Sequence, residues 1–470
     1  MILAIAVPII IQNLLTNLVS MADNIMVGQL GTDQMSGVAI INQLFFVFNL
    51  LVFGGMSGAG LFSAQYFGQK NNDGVRNVFR MKILIGITII IASLGVMLFL
   101  HEPLINMFLH EGSDSGNIVD TFNYARNYLY VMVIGIAPFV VSNCYSTTLK
   151  ESGQTIVPMK AGVLAVVFDI VLNYIFIFGK FGVPAMGVTG AAIATVISRF
   201  VECGYLVVYT HTHVKEYPFI KNCYRTLRLP MSLAKKILIT GTPLMLNEFL
   251  WAGGLTLQTQ AFSTRGLATI GGLNICNTLG NISNSIFVTL GTTIAIVVGQ
   301  LLGAGKLKDA KVTATRMATF SFLISLGTAV ILFILGPIFP HFYNTTGEIR
   351  QLATRFIWVV ALATPFISFT NSEYFILRSG GKTIITFLFD SCFVCLVNVP
   401  VSMCLAKFTS MNIVSMFLLV NMLEGIKSFI GFVMVKKTFG WIQLWSRIWF
   451  VYLIFLIYGI SRIEFLMNLV

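Results

Sequence analysis

Long apolar stretches, separated by short polar segments, recur along the whole chain of 470 residues. Each stretch is close to the ~20 residues with which a helix crosses the hydrocarbon core of a bilayer. The pattern predicts twelve membrane-spanning helices, and these cover residues 2–26, 36–64, 83–105, 124–149, 157–179, 186–209, 237–261, 268–301, 317–342, 351–377, 383–405 and 411–435. A further apolar run over residues 448–460 is short for a span and is predicted to be an interfacial helix. The sequence therefore predicts an all-α polytopic membrane protein.

The two halves of the sequence resemble each other. A shift of 235 residues superposes spans 1 and 2 on spans 7 and 8 without a gap; it pairs Pro8 with Pro243, Gly31 with Gly266, Gly37 with Gly272, Asn42 with Asn277, Gln65 with Gln300 and Gly68 with Gly303. A shift of 228 residues pairs Asn143 with Asn371, Lys150 with Arg378, Gly153 with Gly381 and Thr155 with Thr383. Matches at Gly and Pro carry weight because these residues fix backbone geometry.

The repeat predicts the domain organisation. Because an even number of spans separates the two copies, the repeats are parallel, as in transporters whose two bundles rock around a central substrate site. We predict two pseudo-symmetric six-helix lobes, residues 1–210 and 237–440. A cytoplasmic linker over 211–236 joins them, and a tail over 441–470 follows.

Composition excludes a soluble multi-domain enzyme. Hydrophobic residues make up 56% of the chain and charged residues 10%, whereas globular proteins use about 25% charged residues. The net charge of +12 is concentrated in the loops between apolar runs. Loops after even-numbered spans hold twenty Lys and Arg residues, among them Lys82 and Arg378, against six on the opposite side. This asymmetry predicts a plasma (inner) membrane protein with both ends of the twelve-helix core in the cytoplasm.

Ionisable side chains inside spans are expensive, and each is therefore a functional hypothesis. Asp23 in span 1 has small and polar neighbours; it can exchange a proton, hold Na⁺, or simply cap the outer end of its helix. Asp169 and Asn173 are four residues apart in span 5 and share a helix face, and Thr195 in span 6 adds a hydroxyl. With Asp23 they form a predicted cation-coupling set and a candidate transient Na⁺ site, or else an interhelical hydrogen-bond network.

The second half carries a different acid. Glu248 in span 7 is predicted to serve in coupling or in binding a substrate cation, with structural pairing as the alternative. The repeat maps Glu248 to Asn13 and Asp23 to Gln258, so the lobes do not carry equivalent carboxylates. Asp390 in span 11 is a further candidate.

Three other charged groups are predicted to be mainly structural. Glu373 lies near the end of span 10, where Arg378 or Lys382 can pair with it. Two opposite-charge pairs at i, i+3 spacing are predicted to neutralise themselves; these are Arg199 with Glu202 and Glu424 with Lys427.

A substrate surface is suggested by polar side chains in spans 1, 2, 7 and 8, together with 40 Phe and 20 Met in the chain. Flat aromatic faces and flexible Met suit varied amphipathic cations. The predicted substrate-binding residues are Gln12, Asn13, Asn42, Asn247, Glu248, Gln258 and Asn277. No catalytic triad, paired catalytic carboxylates, metal-ligand spacing or phosphate-binding loop is found, so we expect no enzyme activity and no cofactor beyond H⁺ or Na⁺ as coupling ion. We expect no nucleic-acid partner and a functional monomer.

An ordered set of motifs gives the sequence a family likeness. PIIIQNLLTNLVSMADNIMVGQLG, LKESGQTIVPM, FDIVLNYIFIFGKFGVPAMGVTGAAIAT, GTPLMLNEFLWAGG, GQLLGAGKLKDA and LRSGGKT occur in this order. Together they resemble the multidrug and toxic compound extrusion (MATE) family over residues 5–440. The resemblance implies two six-helix lobes and export of amphipathic, often cationic compounds in exchange for H⁺ or Na⁺. It implies cation coupling at Asp23 and an acid facing the central cavity at Glu248. One branch of the family has Asn before Asp in span 5, whereas here Asp169 precedes Asn173, so that ion geometry does not transfer directly.

These observations favour a secondary active transporter that exports organic cations by rocking, ion-coupled antiport. The nearest alternative is a flippase for lipid-linked oligosaccharides or other amphipathic lipids. Such a flippase is expected to carry several basic residues in its cavity for pyrophosphate, and spans 1, 2, 7 and 8 carry none. A membrane-embedded lipid enzyme would need a His, Asp or Cys cluster that the sequence does not offer.

Overall fold

The computed structural model describes residues 2–107, 118–226, 229–343 and 345–439. Twelve long helices run through this part of the chain: α1 Ile2–Gly28, α2 Thr32–Gly68, α3 Asn72–Phe99, α4 Ile118–Glu151, α5 Ile156–Phe178, α6 Gly187–Thr212, α7 Met231–Ser263, α8 Leu267–Gly303, α9 Leu307–Leu335, α10 Gly347–Ser379, α11 Thr383–Phe408 and α12 Ile413–Phe439. The predicted interfacial helix and the tail over 441–470 lie outside the described residues.

Among the described residues, ten helices are long and apolar enough to cross a membrane. The α1 and α7 helices begin the two repeats, and each contains a proline at the equivalent position, Pro8 and Pro243. They are also the helices that carry most of the predicted site residues. The predicted all-α, twelve-helix fold class is confirmed.

Prolines lie close to three places where a helix is irregular or ends earlier than predicted. The α4 helix tightens to a 3₁₀ turn at Val133–Gly135, just before Pro138, whose ring crowds the carbonyl of Ile134. The α9 helix was predicted over 317–342 but ends at Leu335, because Pro337 cannot continue it. In α11 two π-helical segments, Leu388–Cys392 and Val394–Asn398, precede Pro400.

The chain divides into two compact units, one ending at Met245 and one beginning at Leu246. The predicted linker therefore belongs to the first unit, because side chains of α3 hold it. The Arg76 Nε donates to the carbonyl of Phe219 at 3.1 Å, and the Arg80 Nε donates to that of Cys223 at 2.8 Å. Burial raises the pKa of the Cys223 thiol to about 11.

The first half of α7 also belongs to the first unit, where it packs against α2. Two glycines make this approach possible: a Cβ atom at Gly58 would lie 2.3 Å from the Cα of Gly241. Small residues let helix backbones come this close in membranes. The second unit thus begins within α7, nine residues beyond the predicted start of the second lobe at 237.

Two residues that the topology argument placed in loops lie buried inside helices: Arg378 in α10, which continues to Ser379, and Lys82 in α3. Lys82, predicted to lie in a loop, is fully buried inside α3 because this helix begins at Asn72. Its Nζ donates to Glu151 Oε2 at 2.6 Å, to Thr147 Oγ1 at 2.9 Å and to Thr148 Oγ1 at 3.1 Å. Lys82 is therefore an internal ion-pair partner and carries no topological information.

Candidate functional site

The predicted coupling residues of the first half come together in a polar cluster formed by α1, α5 and α6. Asn173 is fully buried, and its Nδ2 donates to Asp23 Oδ1 at 2.7 Å and to Asp169 Oδ2 at 3.3 Å. Ser198 Oγ donates to Asp169 Oδ1 at 3.1 Å and to the carbonyl of Thr195 at 2.8 Å. All four predicted residues are thus neighbours, and Ser198 completes the set.

The two carboxyl groups of this cluster share one amide donor, so they lie close to each other. Two neighbouring carboxylates repel each other, so a state in which both are ionised is disfavoured. Asp169 is buried, whereas Asp23 is partly exposed. The arrangement can therefore exchange one proton through Asp23, and its carboxylate, amide and hydroxyl oxygens are also the ligand types that Na⁺ accepts.

Arg199 brings a positive charge to the same region. Its guanidinium lies over the rings of Phe45 and Phe139, 5.3 and 5.0 Å from their centroids, and interacts electrostatically with Asp169. The predicted i, i+3 ion pair with Glu202 is not formed within 4.0 Å in the residues that the structure describes. The Arg199 side chain turns towards the two rings, and its attraction to Glu202 acts over a longer distance. Arg199 therefore offsets part of the negative charge of the cluster.

A second polar cluster lies in the second unit and is centred on Asn247. Its Nδ2 donates to Asp390 Oδ2 at 2.9 Å and to Tyr374 Oη at 3.3 Å. Its Oδ1 accepts from Ser391 Oγ at 2.6 Å and from the Ser391 backbone N–H at 3.3 Å. The amide is therefore fully used in linking α7 to α10 and α11, although Asn247 was predicted to bind substrate.

Glu248 borders this cluster and is partly buried. Its carboxyl group interacts electrostatically with Arg378 and Asp390. Arg378 itself lies over the ring of Phe375, 5.4 Å from the centroid. Glu248 thus has a partly accessible carboxyl group and a cationic neighbour. This arrangement fits ion coupling as well as binding of a substrate cation, the two roles predicted for it.

Lys427 in α12 forms the predicted ion pair with Glu424 and a second, shorter one with Asp390. Its Nζ donates to Asp390 Oδ1 at 2.7 Å, whereas Glu424 Oε1 is 3.9 Å away. The local i, i+3 pair is thus the longer of two ion pairs. The strong partner, Asp390, comes from another helix and is 37 residues distant in sequence.

The other predicted substrate residues are dispersed. Gln12 packs against α5, since a Cβ atom at Gly162 would lie 3.1 Å from its side chain. Asn42 and Asn277, equivalent in the repeat, are both exposed, Asn13 is partly buried, and Gln258 is buried. The role of these amides in binding stays a prediction.

Replacing Asn247 by leucine is expected to destabilise the second unit. The substitution leaves Asp390, Ser391 and Tyr374 without their shared partner, and buried polar groups that lose a partner cost about 1–3 kcal/mol each. The midpoint of thermal denaturation in detergent should fall clearly for Asn247→Leu but not for Asn274→Leu, which replaces an exposed amide in α8. Equal midpoints for the two variants would contradict a structural role.

The residues that sequence reasoning missed are those contributed by other helices. Ser198 follows Thr195 by three residues and so shares its helix face, a signal that could have been used. Ser391 and Tyr374 gave no such signal, because their contacts depend on how α7, α10 and α11 pack.

The sequence is similar to a known protein family and to curated relatives over most of its length. A sequence model of the MatE family matches residues 8–175 and 243–404. The chain is 25% identical over 408 residues to a probable multidrug resistance protein NorM of Thermotoga maritima, covering 87% of this chain and 86% of that protein. It is 26% identical over 432 residues to a protein of the same description from Halalkalibacterium halodurans, covering 89% and 87%.

A solved structure has the same fold. It is described as the outward-facing conformation of a multidrug resistance MATE family transporter of the MOP superfamily. The TM-score is 0.82 at 17% identity, over 93% of this chain and 95% of that one. This likeness supports the predicted fold class.

Proposed function

Because the chain belongs to the MatE family of transporters, we propose that it exports amphipathic, cationic organic compounds by H⁺- or Na⁺-coupled antiport. It is a multi-pass membrane transporter and not an enzyme, as the sequence predicts. The proposal of multidrug export draws on the relatives, which are described as multidrug resistance proteins. The observation that carries the coupling proposal is the shared Asn173 amide between Asp23 and Asp169.

In the proposed cycle the ion and the drug compete. With the transporter open to the cytoplasm, the carboxylates are ionised and a lipophilic cation binds. With the transporter open to the outside, H⁺ or Na⁺ occupies Asp23 and Glu248 and lowers the affinity for drug. Rocking of the lobes alternates the two states, and each ligand biases this equilibrium only through its unequal affinity for them.

The location follows from the same proposal. We place the transporter in the plasma membrane as a functional monomer, with both ends of the twelve-helix core in the cytoplasm. The excess of basic residues in the loops after even-numbered spans supports this orientation. It holds without Lys82 and Arg378, since eighteen basic residues still face six.

Dye flux in proteoliposomes tests the proposed antiport and identifies the coupling ion. Purified protein is reconstituted, a pH step or a Na⁺ gradient is imposed, and movement of ethidium is followed by fluorescence. We expect accumulation against the dye gradient under one of the two ion gradients, and none in protein-free vesicles or after an ionophore collapses the gradient. Folded protein that moves no dye under either gradient would contradict multidrug antiport and favour export of a lipid.

A further inference from the structure

A buried acid in the second unit has no hydrogen-bonded neighbour. Glu373 in α10 is 0% exposed, and neither of its carboxyl oxygens has a partner among the described residues. The side chain is pressed against the backbone of α12, because a Cβ atom at Gly431 would lie 2.2 Å from Glu373 Oε2. An ionised carboxylate that lacks both water and hydrogen-bond donors is strongly disfavoured. Glu373 in this arrangement therefore carries a proton.

The positive charge that acts on Glu373 is Lys427. It precedes Gly431 by four residues on α12 and so lies one helical turn away on the same face. Its ammonium group is 5.6 Å from the centroid of Phe389, and the same ring lies 2.7 Å from a Cβ atom built at Gly431. Lys427 therefore adjoins Glu373 while it is bonded to Asp390 at 2.7 Å.

We propose that Glu373, Lys427 and Asp390 form a further proton-exchange centre, separate from Asp23 and Glu248 and contained entirely within the second unit. In one state Glu373 holds the proton and Lys427 neutralises Asp390. In the other state the proton has passed to water, and the ammonium of Lys427 is shared between the two carboxylates. The centre changes by one unit of charge between the states. This inference rests on the proposed antiport and adds a site to it.

The fixed part of the centre is Asp390. It lies in the π-helical segment Leu388–Cys392, a geometry that is frequent at functional sites. Its Oδ2 is held by Asn247 independently of Lys427, which bonds Oδ1. Asp390 therefore keeps its position when Lys427 moves towards Glu373, so the lysine is the mobile element.

The charged groups around Glu373 favour a proton over a metal cation. Among the helices packed against α10, α8 carries no charged residue, and the charged residues of α9 lie within its first ten positions. The α11 and α12 helices contribute Asp390, Glu424 and Lys427, and Glu248 and Arg378 face Tyr374 nearby. Na⁺ would be repelled by Lys427 and would need several more oxygen ligands than Glu373 supplies.

Proton release on substrate binding tests the centre. Ethidium is added to purified protein in weakly buffered detergent solution, and a pH indicator reports the protons released per molecule. We expect Glu373→Gln to release about one proton fewer than the unmodified protein. This variant is the neutral isostere of the protonated acid and should fold normally. Glu348→Gln, which replaces an exposed acid at the start of the same helix, should release as many protons as the unmodified protein.

A second variant tests the role of the lysine. Asp390→Asn combined with Lys427→Met removes both charges together, so that no unpaired charge is buried. Without the cation Glu373 stays protonated, and proton release should fall as it does in Glu373→Gln. Thermal denaturation confirms that each variant is folded.

The outcomes separate this inference from the proposed function. Unchanged proton release from Glu373→Gln, or from the folded double variant, overturns the centre. Dye transport driven by Na⁺ without any proton release also overturns it, while antiport stands. Absence of both proton release and dye transport from the unmodified protein removes the proposed function itself, and the inference with it.

Discussion

Replacing Asp23 by asparagine is expected to abolish ion-driven dye export while the protein still folds. The Asn173 amide donates to Asp23 Oδ1 at 2.7 Å, and an asparagine side chain at position 23 keeps an acceptor oxygen for it. What the variant loses is the group that can gain and lose charge. Without this carboxyl group the coupling ion cannot bind at position 23, and the imposed ion gradient cannot drive transport through this cluster. Export should therefore fall to the level of protein-free vesicles. Ethidium flux under the effective ion gradient measures this loss.

The matched control is Asp120→Asn, which removes an exposed carboxyl group at the start of α4. We expect it to transport dye normally, and both variants should denature at the temperature of the unmodified protein. If Asp23→Asn is folded and still accumulates dye under the same gradient, coupling does not pass through Asp23. The second unit would then have to supply it, through Glu248 or Glu373.

Most of the membrane fold can be predicted from one local feature of the sequence, the length and apolar character of each span. Each span is apolar over nearly its whole length, so twelve helices follow from the pattern, and the spacing of four residues already places Asp169 and Asn173 on one face. Helix ends are less well encoded. The α3 helix begins at Asn72, about three turns before its apolar run at 83, and this difference moves Lys82 from a loop to the interior.

Contacts between helices could not be predicted from local spacing. The i, i+3 rule paired Lys427 with Glu424 and Arg199 with Glu202, yet tertiary packing supplies a closer carboxylate in one case and two aromatic rings in the other. Spacing ranks partners only within one helix, whereas a buried charge takes the best partner from any helix. The network around Asn247 was missed for the same reason.

Removing the amine of Lys82 is expected to destabilise the first unit severely. The Lys82 side chain is 0% exposed and that of Glu151 is 12% exposed, and their ion pair measures 2.6 Å. Lys82→Met keeps the apolar stem but leaves the Glu151 carboxylate buried without its counter-ion. Breaking one side of a buried pair typically costs about 3–5 kcal/mol. The thermal denaturation midpoint in detergent should therefore drop well below that of the unmodified protein, and membrane expression should fall with it.

The double variant Lys82→Met, Glu151→Gln distinguishes two contributions to stability. One is the net stabilisation by the ion pair, and the other is the destabilisation caused by a buried carboxylate that has lost its counter-ion. Replacing both members of a buried ion pair is often nearly neutral, because the desolvation cost disappears together with the attraction. We therefore expect the double variant to recover most of the lost stability, with Thr147 and Thr148 free to bond the new amide. If it is as unstable as Lys82→Met, the lysine contributes through packing and its two threonine bonds rather than through charge. If Lys82→Met alone is as stable as the unmodified protein, Glu151 accepts a proton in place of the lysine, and the pair contributes no net stability.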